Sequence, residues 1–128
     1  MINLQVAAAI IRKEDKVLIC QRAKDDEAAL LWEFPGGKLK KGETLEECVI
    51  REIKEELNLD IKVLDIFLEL NYQYMDRRSH FTFFEAEITG GEMALNVHED
   101  MAWAPVHTLH QYEFLPADID VIKKLQAV

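Results

Sequence analysis

The chain has 128 residues, 49% of them hydrophobic and 30% charged, which suits one core beneath a water-facing surface and excludes a disordered chain. Its net charge of −9 excludes general binding to a nucleic-acid polymer, because affinity for a polyanion comes largely from Lys and Arg; any phosphate ligand must arrive with cations. No apolar run approaches the roughly 20 residues of a membrane span, no basic leader precedes the first apolar stretch, and Cys20 and Cys48 show no C-x-x-C or metal-ligand spacing. The expectation is one cytoplasmic domain over residues 1–128 with two reduced core thiols and no membrane partner.

Leu4 to Arg12 and Lys16 to Arg22 are rich in β-branched and apolar residues on either side of the charged turn Lys13-Glu14-Asp15, which predicts a hairpin. Residues 23–31 read as a polar loop. Phe34-Pro35-Gly36-Gly37-Lys38 then forms a glycine turn whose backbone can approach a phosphate or metal with no Cβ in the way. A helix is predicted from about Thr44 to Leu57, opened by a capping box in which Glu47 follows Thr44 by three residues. At about 100° per residue, Val49, Ile50, Ile53 and Leu57 share a face that can pack on a sheet, and Glu52, Glu55 and Glu56 share an adjacent one.

Ile61 to Leu70 and Ser79 to Ile88 read as strands, the second with Phe81 and Phe83 on one side and Thr82, Phe84 and Ala86 on the other, so both faces are expected to be partly buried. Tyr72, Tyr74 and Arg78 fall in a candidate loop that either borders a pocket or covers a sheet edge. Met101-Ala102-Trp103 reads as a late strand and Asp118 to Gln126 as a closing helix, with Pro116 suited to its start. The histidines at 80, 98, 107 and 110 lack ligand spacing on one element and read as ordinary surface or core residues.

Like charges at i, i+3 and i+4 cost a few tenths of a kcal/mol per pair on a helix. Glu52, Glu55 and Glu56 therefore form either a solvated acidic face, with Arg51 and Lys54 as partial counter-ions, or a site for a hard cation held by oxygen ligands. The surrounding spacing separates the two. From Gly37, Glu43 follows after five residues and Arg51-Glu52 after seven more, then Ile53-Lys54-Glu55-Glu56-Leu57-Asn58-Leu59. This resembles the Nudix box, G-x5-E-x7-R-E-U-x-E-E-x-G-U with U apolar, except that Asn58 stands where the pattern has Gly. Asn is the next most tolerant residue for a left-handed helix end, so the departure is expected to leave the chemistry intact.

The resemblance covers most of the chain and is greatest to the MutT-like nucleoside triphosphate pyrophosphohydrolases, with matches at Gln21-Arg22, Trp32 to Lys38 and Leu115 to Asp118. It implies an α/β fold, an α/β/α sandwich around a mixed β-sheet with the box as loop-helix-loop. It implies Mg²⁺, with Mn²⁺ able to substitute, held by Glu52, Glu55, Glu56 and the Gly37 carbonyl. Arg51 would orient the glutamates. Glu99 is the candidate for a further metal ligand or general base, with Glu55 as the alternative base and a solvated loop acid as the plain reading of Glu99. Lys38 would meet a phosphate, and Arg22, Phe34 and Asp118 match positions that line a base pocket.

The plain readings are core packing for Phe34 and a helix N-terminal acid for Asp118. An ionised Asp118 would only accept hydrogen bonds, which suits base edges presenting donors. The implied reaction is attack of water at the β-phosphorus of a nucleoside triphosphate such as 8-oxo-dGTP or a cytidine nucleotide, giving monophosphate and pyrophosphate. ADP-ribose hydrolysis and a non-catalytic nucleotide sensor are the alternatives, and whether the chain is monomer or homodimer stays open.

Overall fold

A computed structural model describes residues 2–127. Strand β1, Ile2–Lys13, turns through Glu14 and Asp15 into β2, Lys16–Gln21. Glu14 takes a left-handed φ of 60°, which keeps the turn to two residues. The hairpin is shallow, because only Arg12↔Val17 and Lys13↔Lys16 pair before the strands part. β2 continues beside β3, Trp32–Glu33, and β7, Asp100–Pro105. β1 runs antiparallel to β4, Gly36–Lys38, and parallel to β6, Arg77–Gly91, which in turn pairs antiparallel with β5, Leu59–Tyr74. The result is a seven-stranded sheet, mixed as the family resemblance implies.

Alternation along β1 sends Ala7, Ala9 and Ile11 into a core with helix α1, Leu45–Leu57, and sends Ala8 and Ile10 into a second core with α2, Ile119–Gln126. Phe84 and Ala86 of β6 join the first core and Phe83 the second, so the sheet is sandwiched between helices. The capping box of Thr44 and Glu47 is present, and Asn58 closes α1 with φ 58°, its N–H donating to the Lys54 carbonyl. Asparagine thus takes the left-handed position that the family pattern gives to glycine.

Three local expectations change. Ile50 is 41% exposed, and Cys48 stands in the core beside Val49, Ile53 and Leu57 instead. Tyr72, Tyr74 and Arg78 belong to strands, since β5 and β6 stay paired out to Tyr74↔Arg77 and only Met75 and Asp76 turn. Gly36 and Gly37 form a short strand with no positive φ; what they provide is close approach. A Cβ on Gly36 would lie 2.1 Å from the Ala7 carbonyl oxygen. Among the described residues no helix is long and apolar enough to cross a membrane.

Candidate active site

The pairing of β4 with β1 sets Gly37 opposite Ala7 and against the acidic face of α1. A Cβ on Gly37 would lie 2.4 Å from the Glu52 carboxylate, so only glycine lets backbone and carboxylate share this space. The Cys48 thiol points at the Gly37 carbonyl, 3.6 Å away. Burial, then the charge of Glu43, pushes that thiol up to about 11, so it remains a neutral filler.

Arg51 organises the acids. Its Nε and Nη2 donate to the two carboxylate oxygens of Glu43 at 3.0 and 2.7 Å, and Nη2 also reaches the Lys38 carbonyl at 3.1 Å. Nη1 donates to Glu52 at 2.7 Å and to Glu55 at 3.1 Å. Through hydrogen bonds from Arg51 and the Lys40 N–H, the Glu43 carboxyl is held down to about 2. A forked guanidinium can make all of these bonds at once, which an ammonium cannot.

Glu56 is different. Among the described residues its buried Oε1 has no hydrogen-bond partner, and burial, then its hydrogen bond to Glu52 and the charges of Glu52 and Glu33, pushes its carboxyl well above the usual range. Two acids forced together in a buried place ask for a positive charge between them. No group of three acidic, His or Cys side chains among the described residues has metal-holding geometry as it stands, and Arg51 pairs with Glu52 and Glu55. The unpartnered Glu56 oxygen, the Glu52 carboxylate and the neighbouring Gly37 backbone nevertheless match the hard oxygen donor set that Mg²⁺ takes.

Glu99 is not brought against this cluster. It is exposed, and its backbone N–H donates to the Gln21 carbonyl at 2.9 Å. Its neighbour His98, which the sequence offered no reason to single out, has a side chain only 3% exposed, with Nε2 2.8 Å from Glu33 Oε2 and 3.9 Å from Glu56 Oε1. Lys38 is exposed and, among the described residues, has no ion-pair partner.

On the other face of the sheet lies an open cavity of about 410 Å³, walled by Arg22, Leu31, Tyr72, Tyr74, Phe81 and Leu115. Arg22 bridges this wall to the site: Nε donates to the Glu27 carbonyl at 2.7 Å, and Nη1 to Glu33 at 2.8 Å. Burial opposes its charge, but Glu33, Asp26 and Glu27 raise its pKa overall. Phe34 is 3% exposed and stacks on Phe114 at 5.5 Å, so its packing is that of a core residue.

Asp118, next to the cavity-lining Ala117, is also 3% exposed, and its Oδ2 accepts from the Phe34 N–H at 3.3 Å. Burial, then the charge of Glu33, raises its carboxyl well above the usual range. Burial thus favours the protonated form of Asp118, in which the carboxyl has one donor and one acceptor, over the acceptor-only form expected from residue type.

Comparison with known proteins agrees with this architecture. The NUDIX domain family model matches residues 1–125. An Escherichia coli K12 protein named 8-oxo-dGTP diphosphatase is 36% identical over 127 residues, covering 98% of both chains. The CTP pyrophosphohydrolase of the same strain is 29% identical, covering 98% of this chain and 93% of its own. The solution structure of the E. coli ORF135 protein superposes with a TM-score of 0.88 at 29% identity, covering 99% of this chain and 91% of that one.

Proposed function

The chain belongs to the Nudix family, and from that premise we propose that it is a divalent-metal-dependent hydrolase that converts a nucleoside triphosphate to its monophosphate and pyrophosphate. The observation that carries this reading is the buried Glu56 oxygen, without a hydrogen-bond partner among the described residues, on the same helix as Glu52, whose carboxylate meets Gly37; His98, Glu33 and Arg22 lead from it to a cavity of about 410 Å³. We take residues 1–128 as one catalytic domain working in the cytoplasm on the nucleotide pool.

Glu52, Glu55, Glu56 and the Gly37 carbonyl would hold Mg²⁺, with Mn²⁺ as a substitute. A bound ion supplies charge neutralisation for the phosphate oxygens and lowers the pKa of attacking water. A triphosphate carries about four negative charges, which a chain of net charge −9 could not otherwise attract. Lys38, free of an ion pair among the described residues, meets a terminal phosphate. Glu55, with a side chain 52% exposed, is the acid best able to take the proton of the attacking water. The water oxygen bonds to the β-phosphorus, the bond to the α-phosphate oxygen breaks, and pyrophosphate leaves with the new oxygen. Arg51 fixes the cluster through charge-assisted bonds.

In the protonated form that burial favours, Asp118 would pair with a base edge that shows one acceptor and one donor side by side. Cytosine offers N3 and the N4 amine, and 8-oxoguanine offers O6 and N7–H. Names of relatives that act on 8-oxo-dGTP and CTP support the same two choices. Removal of 8-oxo-dGTP would keep an oxidised precursor out of DNA.

Product analysis with Mg²⁺ on 8-oxo-dGTP, dGTP, dCTP, CTP and ADP-ribose tests the reading. Monophosphate and pyrophosphate should form from 8-oxo-dGTP or a cytidine nucleotide and vanish in Glu55→Gln. Turnover of ADP-ribose alone would overturn the substrate assignment, and binding without turnover would make the chain a sensor.

A further inference from the structure

The acidic cluster and the nucleoside cavity sit on different elements, yet one run of partly buried side chains leads from one to the other. Arg22 of the cavity wall grips the 23–31 loop through the Glu27 carbonyl at 2.7 Å and the Asp26 carboxylate at 3.2 Å. The same guanidinium donates to Glu33 Oε1 at 2.8 Å, and the other Glu33 oxygen accepts from His98 Nε2 at 2.8 Å. His98 Nε2 stands 3.9 Å from Glu56 Oε1. Because Glu33 accepts from Nε2, that nitrogen carries the ring proton. Nδ1 is buried with no partner among the described residues.

Both Glu33 oxygens are thus committed, one toward the cavity and one toward the cluster. The Glu33 side chain is 15% exposed and its backbone is fixed by pairing of Cys20 with Glu33. In the middle of the loop, Glu27 meets Arg77 of β6 at 3.6 Å across the cavity wall. A ligand that orders the loop must move or fix Arg22. Glu33 cannot follow Arg22 without either carrying His98 along or leaving a buried N–H unpaired, and a buried hydrogen-bonded run with few partners therefore shifts as a unit.

We propose that Glu33 and His98 are positioning residues that couple occupancy of the nucleoside cavity to the affinity of the carboxylate cluster for a divalent cation. The coupling rests on the assignment of Glu52, Glu55 and Glu56 as the metal ligands. It is reciprocal, so each ligand tightens the other. The base would thereby be read twice, once by its own contacts and once by the readiness of the metal site.

The experiment measures Mn²⁺ affinity of the full chain by electron paramagnetic resonance, with and without cytidine or 8-oxo-2′-deoxyguanosine. These nucleosides carry no phosphate, so no contact can bridge base and metal directly. Saturation is followed by the fluorescence of Trp32 and Trp103. A saturating nucleoside should tighten Mn²⁺ binding about 5-fold or more in the wild type, at the lower end of ordinary coupling.

Glu33→Gln keeps the shape but turns an amide N–H toward His98, and His98→Phe keeps the ring without its N–H. Each should bind both ligands with the coupling factor reduced to near one. A merely structural role would weaken either ligand or lower Tm while leaving the factor intact, which would overturn the proposal. Equal Mn²⁺ affinity with and without nucleoside in the wild type would overturn it without touching the metal assignment. Failure of the wild type to bind Mn²⁺, or to bind either nucleoside at millimolar concentration, would bring down the assignment beneath it.

Discussion

Replacing Asp118 by asparagine should make the protein progressively more stable relative to the wild type as pH rises above the ordinary carboxylate range. The carboxyl is 3% exposed, and burial, with the charge of Glu33, raises its folded-state pKa well above 3.8. An unfolded chain gives up this proton near its ordinary value while the folded chain keeps it. The folded state then binds more protons, and stability falls with rising pH by up to about 1.4 kcal/mol per unit until the folded pKa is reached. The amide has nearly the same shape, can accept from the Phe34 N–H as Oδ2 does, and has no proton to lose. The stability of Asp118→Asn minus that of the wild type should grow with pH, by up to about 1.4 kcal/mol per unit, for as long as the pH lies between the unfolded and the folded pKa. Urea unfolding at pH 5, 6 and 7 reads that difference directly and cancels the titration of other acids common to both proteins. Parallel curves would refute the raised pKa of Asp118, and with it the donor-and-acceptor pairing to the base.

Two adjacent glycines should fail in different ways. In Gly36→Ala the new Cβ meets the Ala7 and Ala8 backbone at 2.1 and 2.5 Å, so unfolding measurements should show a loss of about 3 kcal/mol or more. In Gly37→Ala it meets the end of the flexible Glu52 side chain, so the fold should survive while Mn²⁺ affinity, followed by calorimetry, drops roughly 10–100-fold. Arg51→Lys keeps the charge but cannot fork to Glu43 while reaching Glu52, and kcat/KM should fall roughly 10–100-fold. Mg²⁺ at about 100 times its Kd should stabilise the wild type by about 2.7 kcal/mol in thermal unfolding. The gain should be largely absent in Glu56→Gln; an equal gain there would remove Glu56 from the metal site.

Much of α1 was legible because its signals are local. Thr44 and Glu47 are three residues apart, Asn58 stands where a left-handed turn is needed, and the box spacing lies on one helix and the loop before it. The long strands were legible from two-residue alternation, although β5 and β6 run farther than their apolar stretches. Asn71 and Gln73 sit on strands while looking like loop residues, because pairing with β6 satisfies their backbone whatever their side chains. β3 and β4 have two and three residues, too few for any period to show. His98 was invisible for another reason: its partner Glu33 lies 65 residues away, and nothing in the local sequence marks a contact made by the fold. The raised pKa of Asp118 was hidden likewise, since it follows from burial rather than residue type.

The cluster is best understood through the different burial of its three acids. Arg51 satisfies Glu43 fully and shares one amino group between Glu52 and Glu55, but it makes no bond to Glu56. Side-chain exposure runs from 11% at Glu56 through 16% at Glu52 to 52% at Glu55. On the proposed reading, this gradient divides the work. The deepest acid, raised by burial and by its neighbour, gains most from a cation and anchors it. Glu52 is held between that cation and Arg51. Glu55, bathed in solvent and bound to Arg51 at 3.1 Å, can release the guanidinium at small cost and turn toward water and phosphate. The sequence places Glu55 and Glu56 side by side, yet the helix turns one into the protein and the other out of it. On the proposed reading, that rotation would allow two chemically identical side chains to serve as anchor and proton acceptor.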